Sequence, residues 1–278
     1  MGATTQPALP EFIKLWNFSD PAATEKKFRE VLPQFQTSGN ENARAELLTQ
    51  IARAQGLQHH FQEAHATLDR VEKMLKPGTA RPRVRYLLER GRVFNSSGQP
   101  DKALPLFKEA ITVAEQANEL RLQIDAIHMV AIAEKDPHEQ LKWNLRALEI
   151  VDKHPDEEGW LPALYNNTGE TYLLLKDYPR ALDMFEKLAA LDAEDVYARK
   201  DVGKCLRLMG KLDQSEEVLR PVDGKGNGWV SAELAETLLA QGKPDQAKTK
   251  AKEAHDLLSK DEHPDPNQLQ RLKQIMNP

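Results

Sequence analysis

The chain has 278 residues, of which 40% are hydrophobic and 29% charged, a balance that favours a folded protein over a disordered one. Lys and Arg number 38 against 43 Asp and Glu, and this formal net charge of −5 gives no indication of binding to a nucleic-acid backbone. The single cysteine, Cys205, excludes an internal disulfide framework and a cysteine-cluster metal site, and it favours a reducing compartment.

The composition also bears on location and fold class. The opening residues carry no positive charge and no apolar run, so we expect no signal peptide. No apolar stretch approaches the roughly 20 residues needed to span a bilayer. Aromatic residues make up only 6%, and alanine and leucine dominate the apolar share, which favours close helix packing. We therefore expect an all-α cytoplasmic protein that binds neither membranes nor nucleic acid.

The first elements along the chain predict a degenerate helical hairpin. Residues 10–18 and 21–35 both have helical patterns, and Asp20-Pro21 is a typical helix start. We assign residues 1–44 to this N-terminal hairpin or cap.

Six further pairs of amphipathic segments follow over residues 45–260. Their predicted starts lie near residues 45, 84, 121, 162, 196 and 228. Asp265-Pro266 then opens a last helix, which predicts a capping helix within residues 261–278. The apolar face of this helix consists of Leu269, Leu272, Ile275 and Met276.

A fixed distance ties the two segments of each pair together. Where two helices approach most closely, each needs a small residue, and helix length plus turn sets the separation. That separation is 12 residues in every pair: Ala52–Ala64, Gly91–Ala103, His128–Gln140, Gly169–Ala181, Gly203–Ser215 and Ala235–Ala247. Four residues further on, a second-helix stripe is predicted at Leu68, Phe107, Asn144, Phe185, Leu219 and Ala251. Successive pairs lie at varying distances, and we expect the connections between hairpins to absorb this variation.

The fourth pair carries a family resemblance. Its residues Gly169-Glu170-Thr171-Tyr172, followed by Ala181 and Phe185, resemble the tetratricopeptide repeat, with a small residue and Tyr three apart and then Ala-x₃-Phe. The resemblance implies a right-handed superhelical solenoid of about six to seven antiparallel helix hairpins with a C-terminal capping helix. It also implies a scaffold that binds another protein or a peptide in a concave groove, with no catalysis and no cofactor.

Two other functions remain open. The longer early repeats are similar in spacing to the tetratricopeptide variants of bacterial signalling regulators, so a peptide- or ligand-sensing regulatory module is an alternative. An enzyme is a remote alternative, which requires a pocket with its own chemistry near His128 and Gln140. The sequence does not indicate an oligomeric state.

No set of residues matches a known catalytic or metal site. The Gly-rich loop at residues 223–228 lacks the Lys-Ser/Thr ending of a phosphate-binding loop, and we interpret it as a flexible joint. The histidines lack the spacing of a ligand set, so we expect no metal. Cys205 has no neighbouring base in sequence and is interpreted as an inert, partly buried thiol.

The resemblance places certain first-helix residues in the groove, namely those that point away from the packing stripe. The candidate ligand-contacting residues are Arg53, Arg85, Arg92, Met129, Asn166, Asn167, Glu170, Lys200, Lys204 and Arg207. Asparagine side chains can bond both the N–H and the C=O of an extended peptide, and basic residues can pair with acidic groups. We therefore hypothesise a protein or peptide ligand with acidic residues around an apolar anchor. The alternative is that these are ordinary solvated side chains, which contribute little binding energy.

Overall fold

The computed structural model describes residues 11–225, 228–261 and 264–277. Within these ranges the chain forms fourteen α-helices and three short 3-10 turns and has no β-strand, so the predicted all-α class is confirmed. Predictions that concern residues 1–10, the centre of the Gly-rich loop at 226–227, His263 and Pro278 lie outside the described residues.

The chain divides into two compact units, Met1–Ile150 and Val151–Pro278. The helices of the first unit are α1 (Pro21–Thr37), α2 (Glu41–Leu57), α3 (Phe61–Glu72), α4 (Ala80–Ser96), α5 (Pro100–Gln116), α6 (Leu120–Ala133) and α7 (Pro137–Lys153), whose last turn crosses the boundary. Those of the second unit are α8 (Leu161–Leu174), α9 (Tyr178–Leu191), α10 (Val196–Leu208), α11 (Leu212–Leu219), α12 (Trp229–Ala240), α13 (Pro244–Leu258) and α14 (Pro266–Met276).

The N-terminal hairpin has only one α-helix. The predicted first segment forms a single 3-10 turn, Phe12–Leu15, whereas the second forms the whole of α1. The Asn17 side chain accepts a hydrogen bond from the backbone N–H of Ser19 at 3.1 Å, a local turn that competes with helix. Asp20 caps α1 by accepting a hydrogen bond from the backbone N–H of Ala23.

The six hairpins from α2 onward share their helix boundaries. In each, the first helix ends five residues after the first residue of the 12-residue pair, and the second helix begins three residues before the second one. In the second hairpin, for example, α4 ends at Ser96, five residues after Gly91, and α5 begins at Pro100. Every connection is therefore three residues long, and this constant turn explains the 12-residue separation.

A left-handed backbone closes five of these six turns. The middle residue of the connection has a positive φ in Gly98, Gly210 and Gly242, and also in His59 and Lys176. Glycine adopts this conformation without steric cost, whereas a side chain at the same place is disfavoured.

The third hairpin, α6–α7, is built differently. Glu134, which follows α6, has an extended backbone with ψ of 142°. Gln140 Nε2 donates a hydrogen bond to the backbone carbonyl of Glu134 at 2.7 Å, so a side chain bridges the turn. The pair that lacks small residues, His128–Gln140, therefore belongs to the one hairpin whose turn also departs from the pattern.

Glycine is required where a first helix meets a large side chain of its partner helix. A Cβ atom on Gly91 would lie 2.4 Å from Cε1 of Phe107, and one on Gly169 would lie 2.7 Å from Cζ of Phe185. Both phenylalanines are fully buried. The predicted second-helix stripe is therefore confirmed as the core of these hairpins.

Other hairpins place different residues at the same contact. In the first hairpin the corresponding residues are Ala52 and Leu68, both fully buried. In the fifth, Ser215 Oγ donates a hydrogen bond to the backbone carbonyl of Gly203 at 2.8 Å. These two residues are the pair that lies 12 positions apart in this hairpin.

The varying distance between hairpins does not arise in the connections alone, so that prediction is wrong. Among the second helices, α5 and α7 have 17 residues each, α9 has 14 and α11 has 8. Since the hairpin turn fixes only one end of each helix, the other end can lengthen freely.

The last helix, α14, packs on α13 at the C-terminal end of the second unit. Leu272 and Ile275 are buried in the core cluster that α12 and α13 supply, and Leu269 and Met276 pack against it. Asp265 caps the helix by accepting hydrogen bonds from backbone N–H groups of its first turn. This arrangement is the predicted capping helix.

Candidate functional site

The candidate site is the first-helix face, by which we mean the side chains that the first helices turn away from their partner helices. In the first unit α2, α4 and α6 carry this face, and in the second unit α8, α10 and α12 carry it. The face of each unit is described by itself.

Ion pairs link the first helices of the first unit. Arg92 Nη1 on α4 donates to Glu89 Oε1 at 2.6 Å, and Arg53 Nη1 on α2 lies 3.7 Å from the same oxygen. The other terminal nitrogen of Arg92 donates to Asp125 on α6. Arg53, Glu89, Arg92 and Asp125 thus form a chain of alternating charge across three hairpins, which we call the charge ladder.

Glu89 of the charge ladder is buried and its other three members are half-buried, and the electrostatics of Asp125 and Arg92 reflect both burial and pairing. Burial alone would raise the pKa of Asp125, but the guanidinium groups of Arg92 and Arg53 lower it below its ordinary value. Burial also opposes the charge on Arg92, yet Asp125 and Glu89 raise its pKa. Removing Arg92 would take the guanidinium donor from both Glu89 and Asp125 and leave Glu89 only Arg53 at 3.7 Å. Breaking a buried ion pair typically costs roughly 3–5 kcal/mol.

Arg85 is paired as well. Its Nε donates to Glu46 Oε2 on α2 at 2.9 Å, and Arg81 Nε donates to the same oxygen at 3.2 Å. The three arginines predicted to contact ligand in this unit, Arg53, Arg85 and Arg92, therefore all face carboxylates of the chain itself. An acidic ligand has to compete with those carboxylates.

The apolar side chains of this face differ in exposure. Met129, a predicted contact, is 9% exposed and packs inside, whereas Ile132 one turn later is 45% exposed. His128 beside Met129 is half-buried, and burial lowers its pKa while Asp125 opposes that shift. Since an unperturbed imidazole titrates near 6.5, His128 is neutral at pH 7.

In the second unit, α8 contributes the two predicted asparagines. Asn166 Nδ2 donates to Asn167 Oδ1 at 3.3 Å, and both side chains are half-buried. Glu170, one turn further on, is also half-buried.

The three basic residues of α10 differ in their pairing. Lys200 Nζ lies 2.8 Å from Asp201 Oδ1, and Arg207 Nε donates to Glu233 Oε1 on α12 at 2.5 Å. Lys204, which is half-buried between them, has no carboxylate within 4.0 Å in the part of the chain that the structure describes. Of the six predicted cations, it alone has no such partner in the described residues.

The acids around Lys204 are buried. Burial raises the pKa of Asp201 although Lys200 opposes it, and burial likewise raises the pKa of Glu233 against the effect of Arg207. Burial also raises the pKa of the Cys205 thiol to about 12, so it stays protonated at neutral pH. A protonated, buried thiol is a poor nucleophile, in agreement with the interpretation of Cys205 as inert.

Two aromatic residues that the sequence did not predict as functional, Trp16 and Phe18, lie beside Arg53. A signal was available, because Phe12, Trp16 and Phe18 place three aromatic residues within seven positions of a chain that is 6% aromatic.

Within residues 11–225, 228–261 and 264–277, no group of three or more His, Cys, Asp or Glu side chains is placed to hold a metal ion. In the same ranges, every helix is too short or too polar to cross a bilayer.

Comparisons with known proteins establish the family. A family model described as tetratricopeptide repeat matches residues 26–221, which is more than half of the chain. The chain belongs to the tetratricopeptide repeat family. No curated protein matches the sequence.

Solved structures share the tetratricopeptide fold at low identity. A tetratricopeptide repeat protein from Parabacteroides merdae is 15% identical with a TM-score of 0.56, and the alignment covers 96% of this chain and 97% of that one. The apo form of RapI is 11% identical with a TM-score of 0.73, over 95% of this chain and 80% of RapI. A thermophilic tetratricopeptide protein of Thermus thermophilus is 19% identical with a TM-score of 0.51, over 69% and 98%.

Proposed function

We propose that this tetratricopeptide repeat protein is a scaffold that binds another protein or an extended peptide through its first-helix faces, without catalysis. Family membership supports the binding class, because helical repeats of this kind present extended surfaces to partners. The observation that carries the choice of surface is Lys204, a half-buried cation that has no carboxylate oxygen within 4.0 Å among the described residues.

The chemistry of the second unit suits an acidic peptide. A carboxylate of the partner would pair with Lys204 at a site that already excludes part of the solvent, where a charge-assisted hydrogen bond is stronger than at an open surface. The amide groups of Asn166 and Asn167 can meet both polar groups of an extended backbone, and Glu170 can accept a hydrogen bond from a donor.

The first unit has a different part in this proposal. Arg85 and Arg92 already hold carboxylates of the chain, so they position the first-helix face more than they attract an acidic partner. Lys200 and Arg207 in the second unit are in the same situation. We therefore place the main electrostatic contact with the partner at Lys204.

A matched pair of charge reversals tests the assignment. Lys204→Glu reverses the unpaired cation, and Lys187→Glu reverses an exposed lysine on α9, which is a second helix. The two variants and the unchanged protein are used for affinity purification from the native host with quantitative mass spectrometry. We expect Lys204→Glu to lower recovery of at least one partner about tenfold, the equivalent of 1.4 kcal/mol, while Lys187→Glu leaves it unchanged.

A direct titration with the partner so identified completes the test. The affinity should fall with Lys204→Glu and with Asn167→Ala, and circular dichroism should show that both variants keep their helical content. Equal recovery of every partner by all three proteins would refute the assignment to this surface.

A ligand-sensing regulatory module is the second candidate. The observation that favours it is the fold similarity to the apo form of RapI, with a TM-score of 0.73 over 95% of the chain. The two candidates differ in one measurable respect, since a sensor must release or recruit its partner when a small ligand binds. An acidic peptide added to the purified complex should release a partner from a plain scaffold only by competing for the Lys204 surface. From a sensor it should release or recruit a partner that Lys204→Glu still binds.

We also propose that the protein works in the cytoplasm. The free Cys205 thiol is buried and protonated, which suits a reducing compartment. Immunoblotting for the protein in cell fractions from the native host tests this location.

A further inference from the structure

A stack of aromatic rings and a guanidinium group lies at the start of the first unit. The rings of Trp16 and Phe18 are parallel, with centroids 4.5 Å apart. The Cζ atom of Arg53 lies 5.6 Å from the Trp16 ring centroid and 5.3 Å from that of Phe18. These distances lie within the range of cation–π attraction. Phe18 is 59% exposed, so one large apolar surface beside Arg53 faces solvent.

Buried groups fix the position of the stack. Trp16 Nε1 donates to Gln50 Oε1 on α2 at 3.0 Å, and the Trp16 ring meets Phe28 of α1 edge to face at 5.3 Å between centroids. Thr24, which is fully buried, accepts a hydrogen bond from the backbone N–H of Asn17 at 3.0 Å. The turn that carries Phe18 is therefore positioned before any ligand arrives, which lowers the entropic cost of binding.

Arg53 differs from the other arginines of its face in hydrogen bonding. Arg85 and Arg92 each donate at 2.9 Å or less to a carboxylate of the chain. Arg53 makes no hydrogen bond among the residues described, and its nearest carboxylate oxygen, on Glu89, lies 3.7 Å away and already accepts from Arg92. Its donors are thus left for solvent or for a ligand.

The surroundings of Arg53 favour an added anion. Burial lowers the pKa of Arg53, and the positive charges of Arg92 and Arg85 lower it further, against the effect of Glu89 and Asp125. The group remains a cation at neutral pH, but its charge is less well compensated than those of its neighbours. A carboxylate that accepts from the guanidinium fork would supply the missing partner in bidentate geometry.

We propose that Arg53, Trp16 and Phe18 form a subsite for a peptide carboxylate that has an apolar side chain next to it. The carboxylate would accept from the free donors of Arg53, and the apolar group would pack on the exposed ring of Phe18. The subsite rests on the proposed use of first-helix faces for binding. It lies in the first unit and can be tested with small probes, so its failure is separable from failure at Lys204.

Four probes separate the charge from the apolar group and distinguish two sources of the carboxylate. N-acetyl-phenylalanine carries a terminal carboxylate, and its amide does not. Acetyl-Asp-Phe amide carries a side-chain carboxylate, and acetyl-Asn-Phe amide is its neutral counterpart. For ligands of this size we expect dissociation constants of about 1–10 mM, which suits detection by nuclear magnetic resonance of the full chain.

The indole N–H signals of the four tryptophans serve as reporters and controls. We expect the Trp16 signal, assigned with Trp16→Phe, to shift with both acids and not with the amides. If only one acid shifts it, the carboxylate source is assigned to that chemistry. Trp143 is the matched control, because Arg146 stacks on it at 5.3 Å but already pairs with Glu115. Its signal should stay in place.

Variants complete the test. Arg53→Gln should weaken acid binding about tenfold or more, and Phe18→Ala should weaken it less, while the remaining indole signals show that the fold is kept. The proposal is overturned if the acids leave Trp16 unshifted, if the amides shift it equally, or if Arg53→Gln binds the acids as the unchanged protein does.

Discussion

The contact between Gly91 and Phe107 yields a prediction whose size can be worked out from the structure. Gly91→Ala adds a methyl group 2.4 Å from Cε1 of a fully buried ring, far inside van der Waals contact. Overpacking of a core costs about 1–3 kcal/mol, and a clash this short belongs at the upper end. Alanine regains roughly 0.5–1 kcal/mol in a helix interior. We therefore expect a net destabilisation of about 2 kcal/mol.

Gly56→Ala is the matched control. It lies on α2, also a first helix, and its added Cβ would meet only Val93 Cγ2 at 3.5 Å, an ordinary contact. With no clash to oppose the gain in helix propensity, this variant should be as stable as the unchanged protein or more stable by up to about 1 kcal/mol.

A double mutant isolates the clash. Phe107→Leu removes the ring atoms that Gly91→Ala meets and reproduces the alanine–leucine combination of Ala52 and Leu68 in the first hairpin. The two substitutions together should cost at least about 1 kcal/mol less than the sum of the single costs.

The assay combines urea denaturation, followed by circular dichroism, with hydrogen exchange of peptides from α4 and α5. The exchange data are needed because stability in a repeat protein is local and the unfolding transition need not be two-state. Equal stability of Gly91→Ala and Gly56→Ala, or strict additivity in the double mutant, would show that the 2.4 Å contact does not hold the hairpin.

Two further predictions concern a turn and the charge ladder. Lys176→Gly should stabilise the second unit by about 0.5–1 kcal/mol, because Lys176 holds a left-handed backbone with φ of 59°; a lower melting temperature would contradict this. Arg92→Met should cost roughly 3–5 kcal/mol at pH 7, because buried Glu89 and half-buried Asp125 both lose the guanidinium group that donates to them. The folded pKa of Asp125 is depressed, so its stabilisation is present above its unfolded pKa of about 4 and is lost as the pH falls through the folded value. Urea denaturation should therefore show the difference in free energy of unfolding between Arg92→Met and the unchanged protein narrowing below about pH 4. A difference that stays constant with pH would exclude the ion pair as its cause.

The positions of the hairpins could be predicted because their cause is local. A three-residue turn and one close contact fix the separation of 12, and both depend on residues near each other in sequence, such as Gly91 and Ala103. Helix lengths could not be predicted in the same way. Nothing in the turn determines where the far end of α5 or α11 stops, so the expectation that the connections alone absorb the variation was wrong.

The candidate site was predictable as a surface but not in its electrostatics. First-helix periodicity identifies Arg92 and Lys204 equally well as outward residues. Arg92 meets Glu89 on its own helix and also Asp125 on the next hairpin, whereas Glu233, on the hairpin after Lys204, pairs with Arg207. Such pairing between hairpins joins residues about thirty positions apart through their stacking, and a single sequence contains no record of it.

The recurring glycine–phenylalanine contact raises the question of how each first helix selects its own second helix during folding. Gly91 with Phe107 and Gly169 with Phe185 make the same kind of contact, so a mispairing of α4 with α9 would bring the same residue types together. Contact chemistry alone does not separate the two partners. The three-residue turn does, because closing it costs far less chain entropy than closing a long loop, and α5 emerges from the ribosome before α9 exists. The order of synthesis thus supplies information that the repeated core omits.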